Sequence, residues 1–212
     1  MMINLFIIFL CGLAIVHPLN ICVVKKALKN LEVNPKYPFI EIVNGILFVL
    51  LYLSFGISYD TILYYIFFST LLFLVYIDTY YQIVPININI FLSILCILAL
   101  LIQRDILISD RIIGFFIISV PIYFLAAFTG GFGGGDIKLF AVSGFFLGTQ
   151  IIVMSAFIAI IIAGMFAMIL IRTGIKSMKD RIPFVPFIFL GLVISTLYGD
   201  TVLRIYLNIF FI

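Results

Sequence analysis

An all-α, polytopic membrane helix bundle with about eight transmembrane helices is the fold class the sequence predicts, and three observations predict it. Of the 212 residues, 66% are hydrophobic and only 10% charged. A soluble domain is nearer half apolar and a quarter charged, so a soluble fold of this length could not cover its surface. The apolar residues also come in runs long enough to cross a bilayer core, which takes about 20 helical residues. Finally, the basic residues collect on alternate connections between the runs, the asymmetry that orients membrane proteins. A net charge of +3 is too weak to argue for nucleic acid. The lipid bilayer is the partner this composition implies.

The runs place spans near 2–24, 39–56, 61–78, 86–103, 111–129, 137–148, 150–172 and 183–198. The first has no basic residue before its apolar stretch Ile3 to Val16 and no small-residue cleavage site after it; Lys25, Lys26 and Lys29 come later. That order predicts an uncleaved span with its N-terminus outside. The sixth run is short, and Gly144 and Gly148 blur its end. The apolar tail 200–212 is too short for a ninth span, and either lies at the interface or completes the eighth helix. Threaded this way, nine of the twelve Lys and Arg fall inside: Lys25, Lys26, Lys29, Lys36, Lys138, Arg172, Lys176, Lys179 and Arg181. Arg104 and Arg111 fall outside, and Arg204 is unplaced. There is no linker, low-complexity tract or clear repeat, so residues 1–212 read as one membrane domain.

Cysteine and histidine offer little chemistry. Cys11, Cys22 and Cys96 are odd in number, form no CxxC pair, and sit in or beside apolar runs. They fit neither a disulfide framework nor a zinc site, and read as small buried hydrophobes. A single histidine, His17 beside Pro18, supports neither a metal site nor a Ser–His arrangement. No metal and no cofactor is expected.

Nine acidic residues remain. Solvation explains Glu32, Asp60, Asp105, Asp110, Asp180 and Asp200, in loops or at span ends. Asp78 is different, following the run Leu71 to Ile77 with no basic residue between Lys36 and Arg104 to pair it. Asp136 ends the string Gly130-Gly131-Phe132-Gly133-Gly134-Gly135-Asp136 and is followed by Ile137-Lys138. So many glycines cost conformational entropy, which implies a backbone that side chains would obstruct. They let a substrate backbone approach closely, or they let two helices turn sharply. Asp136 would then open the next helix, where it can cap free N–H groups and where the dipole favours an anion. A phosphate cradle is excluded, since the GxxxxGK[ST] spacing is missing and Asp136 would repel the phosphate.

Asp78 and Asp136 map to the same membrane face. Two close carboxylates cannot both ionise easily, so they share a proton near neutral pH and titrate as a unit. The ionised member can take a proton from water while the protonated one polarises a scissile carbonyl. That is peptide hydrolysis without metal or covalent intermediate. Separately, each aspartate has an ordinary reading: a solvated helix-end carboxylate for Asp78, and a capping residue on a glycine turn for Asp136. Lys138, two residues past Asp136, lies off that residue's helix face and reads as snorkelling to the interface or raising the local positive potential. Glu41 lies at the start of a span, where a carboxylate is expensive. It pairs with a first-loop lysine or receives a basic substrate segment.

Four segments then carry a resemblance to the type IV prepilin peptidases, membrane aspartyl peptidases with a GxGD signature. Lys36-Tyr37-Pro38-Phe39-Ile40-Glu41 is similar to the family's stretch entering the second span. Asp78 with Ile83-Val84-Pro85 resembles its aspartate followed by Ile-Pro, although Val84 intervenes. Gly133-Gly134-Gly135-Asp136-Ile137-Lys138 matches its GxGDxK string, and Arg181-Ile182-Pro183-Phe184-Val185-Pro186-Phe187 is like its IPFxP segment. Order and spacing agree from about residue 36 to 195.

The resemblance implies removal of a basic leader from type IV prepilins or pseudopilins, after a glycine and on the cytoplasmic side of the cell membrane. It implies Asp78 and Asp136 as the catalytic pair. It places Gly133, Gly134, Gly135, Lys138, Glu41 and Pro85 in binding or supporting roles. Many bacterial members carry paired zinc-binding CxxC motifs in the first loop and also N-methylate the product. Here that loop, about 25–38, is short and lacks cysteine pairs, so no methyltransferase activity is expected. A preflagellin-type or other intramembrane aspartyl protease is the neighbouring alternative. A transporter is the alternative of another class, but it would favour acids near the midplane and helices broken in matching halves.

Overall fold

The structure, a computed structural model, describes residues 4–14, 37–177 and 180–210. Apart from turns, these residues are helical, with no strand among them. The helices are α1 (Asn4–Ala14), α2 (Tyr37–Phe55), α3 (Tyr59–Tyr81), α4 (Ile86–Ile102), α5 (Ile108–Ile117), α6 (Ser119–Thr129), α7 (Gly134–Leu147), α8 (Thr149–Arg172) and α9 (Val185–Phe210). With α5 and α6 taken as one broken helix, the described residues form eight apolar helices, and the all-α membrane bundle is the fold. Among the described residues, three stretches are long and apolar enough to cross a membrane outright: α3, the continuous Ile108–Thr129, and α8. Most of the first span and the first loop lie outside the described residues.

The break in the fifth span has a covalent cause. Pro121 has no N–H for the carbonyl of Ile117, and its ring crowds that carbonyl. The helix stops at Ile117 and restarts at Ser119. The tail is settled in favour of completing the last helix, since α9 runs on to Phe210.

The chain divides into two compact units, Met1–Asp105 and Ile106–Ile212. In the first, α3 is the central helix and packs against both α2 and α4. Its buried stripe includes Phe67, Leu71, Leu74, Ile77 and Asp78. Polar atoms tie α1, α2 and α3 together: buried Asn44 donates from Nδ2 to the Gly12 carbonyl at 2.8 Å and accepts at Oδ1 from the Ser69 hydroxyl at 2.9 Å. Gly12 and Gly45 let those backbones meet, because a Cβ on Gly12 would lie 2.9 Å from the Gly45 Cα.

In the second unit the tightest pairings are α8 with α9 and α5 with α7. Both rest on small residues, as membrane helix contacts do where no side chain separates the backbones. Gly191 on α9 meets the Ser155 backbone on α8, and Gly114 on α5 meets Gly144 on α7. A Cβ on either Gly114 or Gly144 would overlap the other's carbonyl oxygen. Gly144 therefore marks a helix crossing, not a helix end. The end comes at Gly148, whose φ of +85° is the left-handed region that glycine tolerates.

Two consecutive charges on α5 clamp that hinge. The Asp110 carboxylate accepts the Thr149 N–H at 3.2 Å, and the Asp110 carbonyl accepts the Thr149 hydroxyl at 2.9 Å. Arg111, 0% exposed, donates from Nη1 to the carbonyls of Phe145 and Phe146, each at 3.1 Å. An anion thus sits at the N-terminus of α8 and a cation at the C-terminus of α7, the favourable sense for both helix dipoles. Reading Asp110 as a merely solvated acid misses this.

Candidate active site

In the first unit, Asp78 lies one turn before the end of α3 and is 5% exposed. Its carbonyl accepts the N–H of Gln82 at 2.9 Å, which closes the helix. Gln82 takes φ +52°, the one non-glycine positive φ among the described residues. Such a residue is uncommon in that region and costs free energy. The chain then turns over four residues to Pro85, the N-cap of α4 with φ −62°. Proline suits this place because the first helical N–H groups have no partner anyway.

The entry of α2 belongs to the same end of the helices. An apolar groove of about 280 Å³ is lined by Phe39, Ile40 and Val43 of α2 and by Val75, Tyr76 and Thr79 of α3, among others. That lining sets the first turns of α2 beside the last turns of α3. Half-buried Glu41 follows Ile40 directly. Glu41, Asp78 and Pro85 therefore gather at one end of the first unit. The lysines proposed as partners of Glu41 lie outside the described residues.

In the second unit, the glycine string is shared between a turn and a helix. Gly130 caps α6 with φ +64°, and Gly131 donates its N–H to the Thr129 hydroxyl at 3.1 Å. Gly133 is the N-cap of α7, so Gly134 and Gly135 already belong to the first helical turn. Asp136 is the third helical residue, not the cap. Half-buried, it reaches back to accept the Gly133 N–H at Oδ2, at 3.3 Å. A side chain on Gly133 would crowd that carboxylate, with its Cβ 3.1 Å from Oδ2, whereas Gly134 faces open space. Of these glycines, Gly130 answers to backbone conformation and Gly133 to the aspartate. Lys138 is exposed.

Phe132, embedded in the glycines, stands at 5.4 Å from Phe184, ring centre to ring centre and edge-on. Phe184 also meets Phe140 at 6.1 Å and Phe187 at 6.4 Å. The glycine string and the Ile182–Phe187 segment, more than 45 residues apart in sequence, are thus brought together by one aromatic cluster. In the sequence, only the position of Phe132 inside a glycine run marks it as a specific anchor. The basic residues lie at this same end, Arg172 closing α8 and Lys176 and Arg181 between α8 and α9. There Lys176 donates to the Arg181 carbonyl at 2.6 Å, and Ser177 donates its N–H to the Asp180 carboxylate at 2.7 Å. That bond, with the Ser177 hydroxyl and then Lys176, holds the Asp180 carboxyl below its ordinary pKa.

Among the described residues no three His, Cys, Asp or Glu side chains gather as a metal site. Asp78 belongs to the first unit and Asp136 to the second.

Comparison with known proteins fits this arrangement. A model described as the Type IV leader peptidase family matches residues 65–168, a stretch that contains both aspartates. The chain is also similar to the prepilin leader peptidase/N-methyltransferase of Bacillus subtilis (strain 168), 33% identical over 177 residues, covering 81% of this chain and 70% of the relative. No solved structure matches. Identity at that level over most of both chains is decisive: this membrane protein belongs to the type IV leader peptidase family and is a peptidase.

Proposed function

We propose that the chain is an aspartyl endopeptidase that removes the basic leader from type IV prepilin or pseudopilin precursors. Asp78 and Asp136 act as the pair that activates water and polarises the scissile carbonyl. Residues 1–212 act as a single transmembrane peptidase domain. The observation that carries this reading is the polar make-up of the helix ends. In each unit one aspartate stands at a helix terminus among the family-like segments: Pro85 and Glu41 beside Asp78, and the glycines and Ile182–Phe187 beside Asp136.

The glycine turn leaves room for an extended substrate backbone at Asp136, and Gly133, Gly134 and Gly135 serve that approach. The groove between α2 and α3 suits the apolar segment that follows a leader, and Glu41 suits the leader's basic residues. Lys138, Arg172, Lys176 and Arg181 lie at the Asp136 end of the second unit, which supports a cytoplasmic active site in the cell membrane and an outside N-terminus. The first loop, without cysteine pairs, supports peptidase activity without N-methylation. We infer no metal and no cofactor, since a carboxyl pair suffices for the hydrolysis.

Coexpression with a prepilin carrying a basic leader and a Gly-Phe junction tests the reading. Asp78→Asn and Asp136→Asn should each slow cleavage by about 10²-fold or more, the usual scale for losing a general acid or base. Normal cleavage by either variant sinks the pair. Mass spectrometry of the product should show a free, unmethylated N-terminus. Solute flux without proteolysis in reconstituted vesicles would favour the transporter alternative instead.

A further inference from the structure

Among its described residues the first unit buries two asparagines and treats them oppositely. Asn44 is 0% exposed and satisfied at both side-chain atoms, by Gly12 and Ser69. Asn89 is 4% exposed, yet neither its Nδ2 nor its Oδ1 has a hydrogen-bond partner. Buried polar groups are ordinarily paired, and within a bilayer there is little water to take the missing place. An orphaned amide donor and acceptor, side by side and fixed by a packed helix, are the complement of the N–H and C=O of one extended residue, which point to the same side of the chain, whereas those of a single trans peptide group point apart.

The position of Asn89 says where along the substrate that residue lies. It is the fourth residue after the N-cap Pro85, and Asp78 is the fourth residue before the C-cap Gln82. The two helices run antiparallel about the four-residue turn, so both side chains lie about 6 Å deep at 1.5 Å per residue. Asn89 falls on the buried stripe of α4 with Ile88, Leu92 and Ala99, and α3 is the main packing partner of that helix. Packed helix axes stand about 8–10 Å apart. An extended chain covers that distance in about two to three residues. A peptide must be extended to be cut, because a helix engages its carbonyls internally. Its freed N–H and C=O groups then need new partners.

We propose that Asn89 is a substrate-binding residue that pairs with the N–H and C=O of one extended substrate residue within about three residues of the scissile bond. The Nδ2–H donates to the substrate carbonyl, and the substrate N–H donates to Oδ1. The inference rests on the reading of Asp78 as a catalytic carboxyl and adds to it how the backbone beside that carboxyl is held.

The test uses the full chain in detergent and a synthetic leader-containing peptide in which each amide near the scissile bond is replaced, one at a time, by an ester. An ester removes the N–H and weakens the carbonyl acceptor. On the wild-type enzyme the ester that removes the bonded N–H should lower kcat/KM about tenfold, the scale of a buried hydrogen bond. Asn89→Leu should lose at least a similar factor on the all-amide peptide and lose nothing further with that ester, while esters outside the two linkages that flank the bonded residue affect both enzymes alike. Asn89→Leu should also unfold at or above the wild-type temperature, because it removes an unpaired buried amide. If leucine does not fold, Asn89→Ala is read in its place. Wild-type rates for the folded variant, or equal ester losses in both enzymes at every position, overturn the proposal. Asp78→Asn on the all-amide peptide separates the two failures. An inactive Asp78 variant with no Asn89–ester coupling removes the Asn89 inference alone, whereas an active one removes the reading of Asp78 as well.

Discussion

Replacing Gly144 by alanine adds one methyl group where α5 and α7 have no room for it. The new Cβ would stand 2.6 Å from the Gly114 carbonyl carbon and closer still to its oxygen, against the roughly 3.5–4.0 Å of an ordinary carbon contact. Backbone atoms cannot swing aside as a side chain can, so the helices must part by about 1 Å. Overpacking of this kind costs about 1–3 kcal/mol, and the better helix propensity of alanine offsets about 1 kcal/mol of it. Asp136 lies eight residues earlier on the same helix, about 12 Å along the axis. If α7 moves as a rigid rod, the carboxylate moves with it, and a misplacement of about 1 Å is worth about 10²-fold in rate. Gly144→Ala should therefore unfold a few degrees lower in detergent and process a coexpressed prepilin about 10²-fold more slowly. Gly164→Ala is the control: that glycine is exposed on α8 and its Cβ would meet nothing within 4 Å, so processing should stay near wild type and stability should rise by the same propensity gain of about 1 kcal/mol. Wild-type behaviour of Gly144→Ala would refute the view that the α5–α7 crossing fixes the position of Asp136.

Three further outcomes are expected. Phe184→Leu removes three ring contacts, each worth about 0.5–1.5 kcal/mol; limited proteolysis should then cut faster within residues 130–135, and an unchanged rate would show that Phe132 does not anchor the glycines. Gln82→Gly relieves the positive φ and should raise the unfolding temperature by an amount equivalent to about 1 kcal/mol; a lower temperature would mean that the contacts of the glutamine side chain outweigh the strain. The Ser177–Asp180 turn should be pH-sensitive in one direction. Because the folded Asp180 pKa is lowered, its contribution is present above the unfolded carboxylate pKa of about 3.9 and is lost as pH falls through the folded value. Amide exchange at Ser177 should stay slow through pH 5 and quicken only in stronger acid; quickening already near pH 5 would contradict this.

The helices were legible in the sequence because lipid demands long apolar runs with every backbone group satisfied internally, and little else satisfies that demand. Their ends were less so. Gly144 looked like a terminus because glycine is a common helix stop, but sequence cannot distinguish a stop from a crossing without knowing what lies opposite. Gly134 and Gly135 looked like loop and proved to be the first turn of α7, since glycine's own preference is weak and the Asp136–Gly133 bond decides the start. Of the candidate site, Asp78 stood out as an acid without a local countercharge, and Asp136 as the acid that ends a glycine string. Asn89 did not stand out, because an asparagine near a helix start ordinarily reads as solvated, and only the burial of its amide without partners gives it away. Phe132 and Phe184 were invisible as a pair for the plainer reason that no local pattern couples residues so distant in the chain.

Arg111 has a consequence for how the protein is made. Its guanidinium is sealed in the finished fold, and its acceptors on α7 lie 34 and 35 residues further along the chain. A chain entering the membrane in order presents that cation well before those carbonyls exist. A charge at a helix end can reach the interface by its flexible stem, but it is costly deeper in lipid. The α5 segment therefore has to wait near the interface, or within the insertion machinery, until α7 emerges. The two helices then enter their final depth as a pair, and biogenesis of the second unit becomes a single committed step instead of a succession of independent insertions.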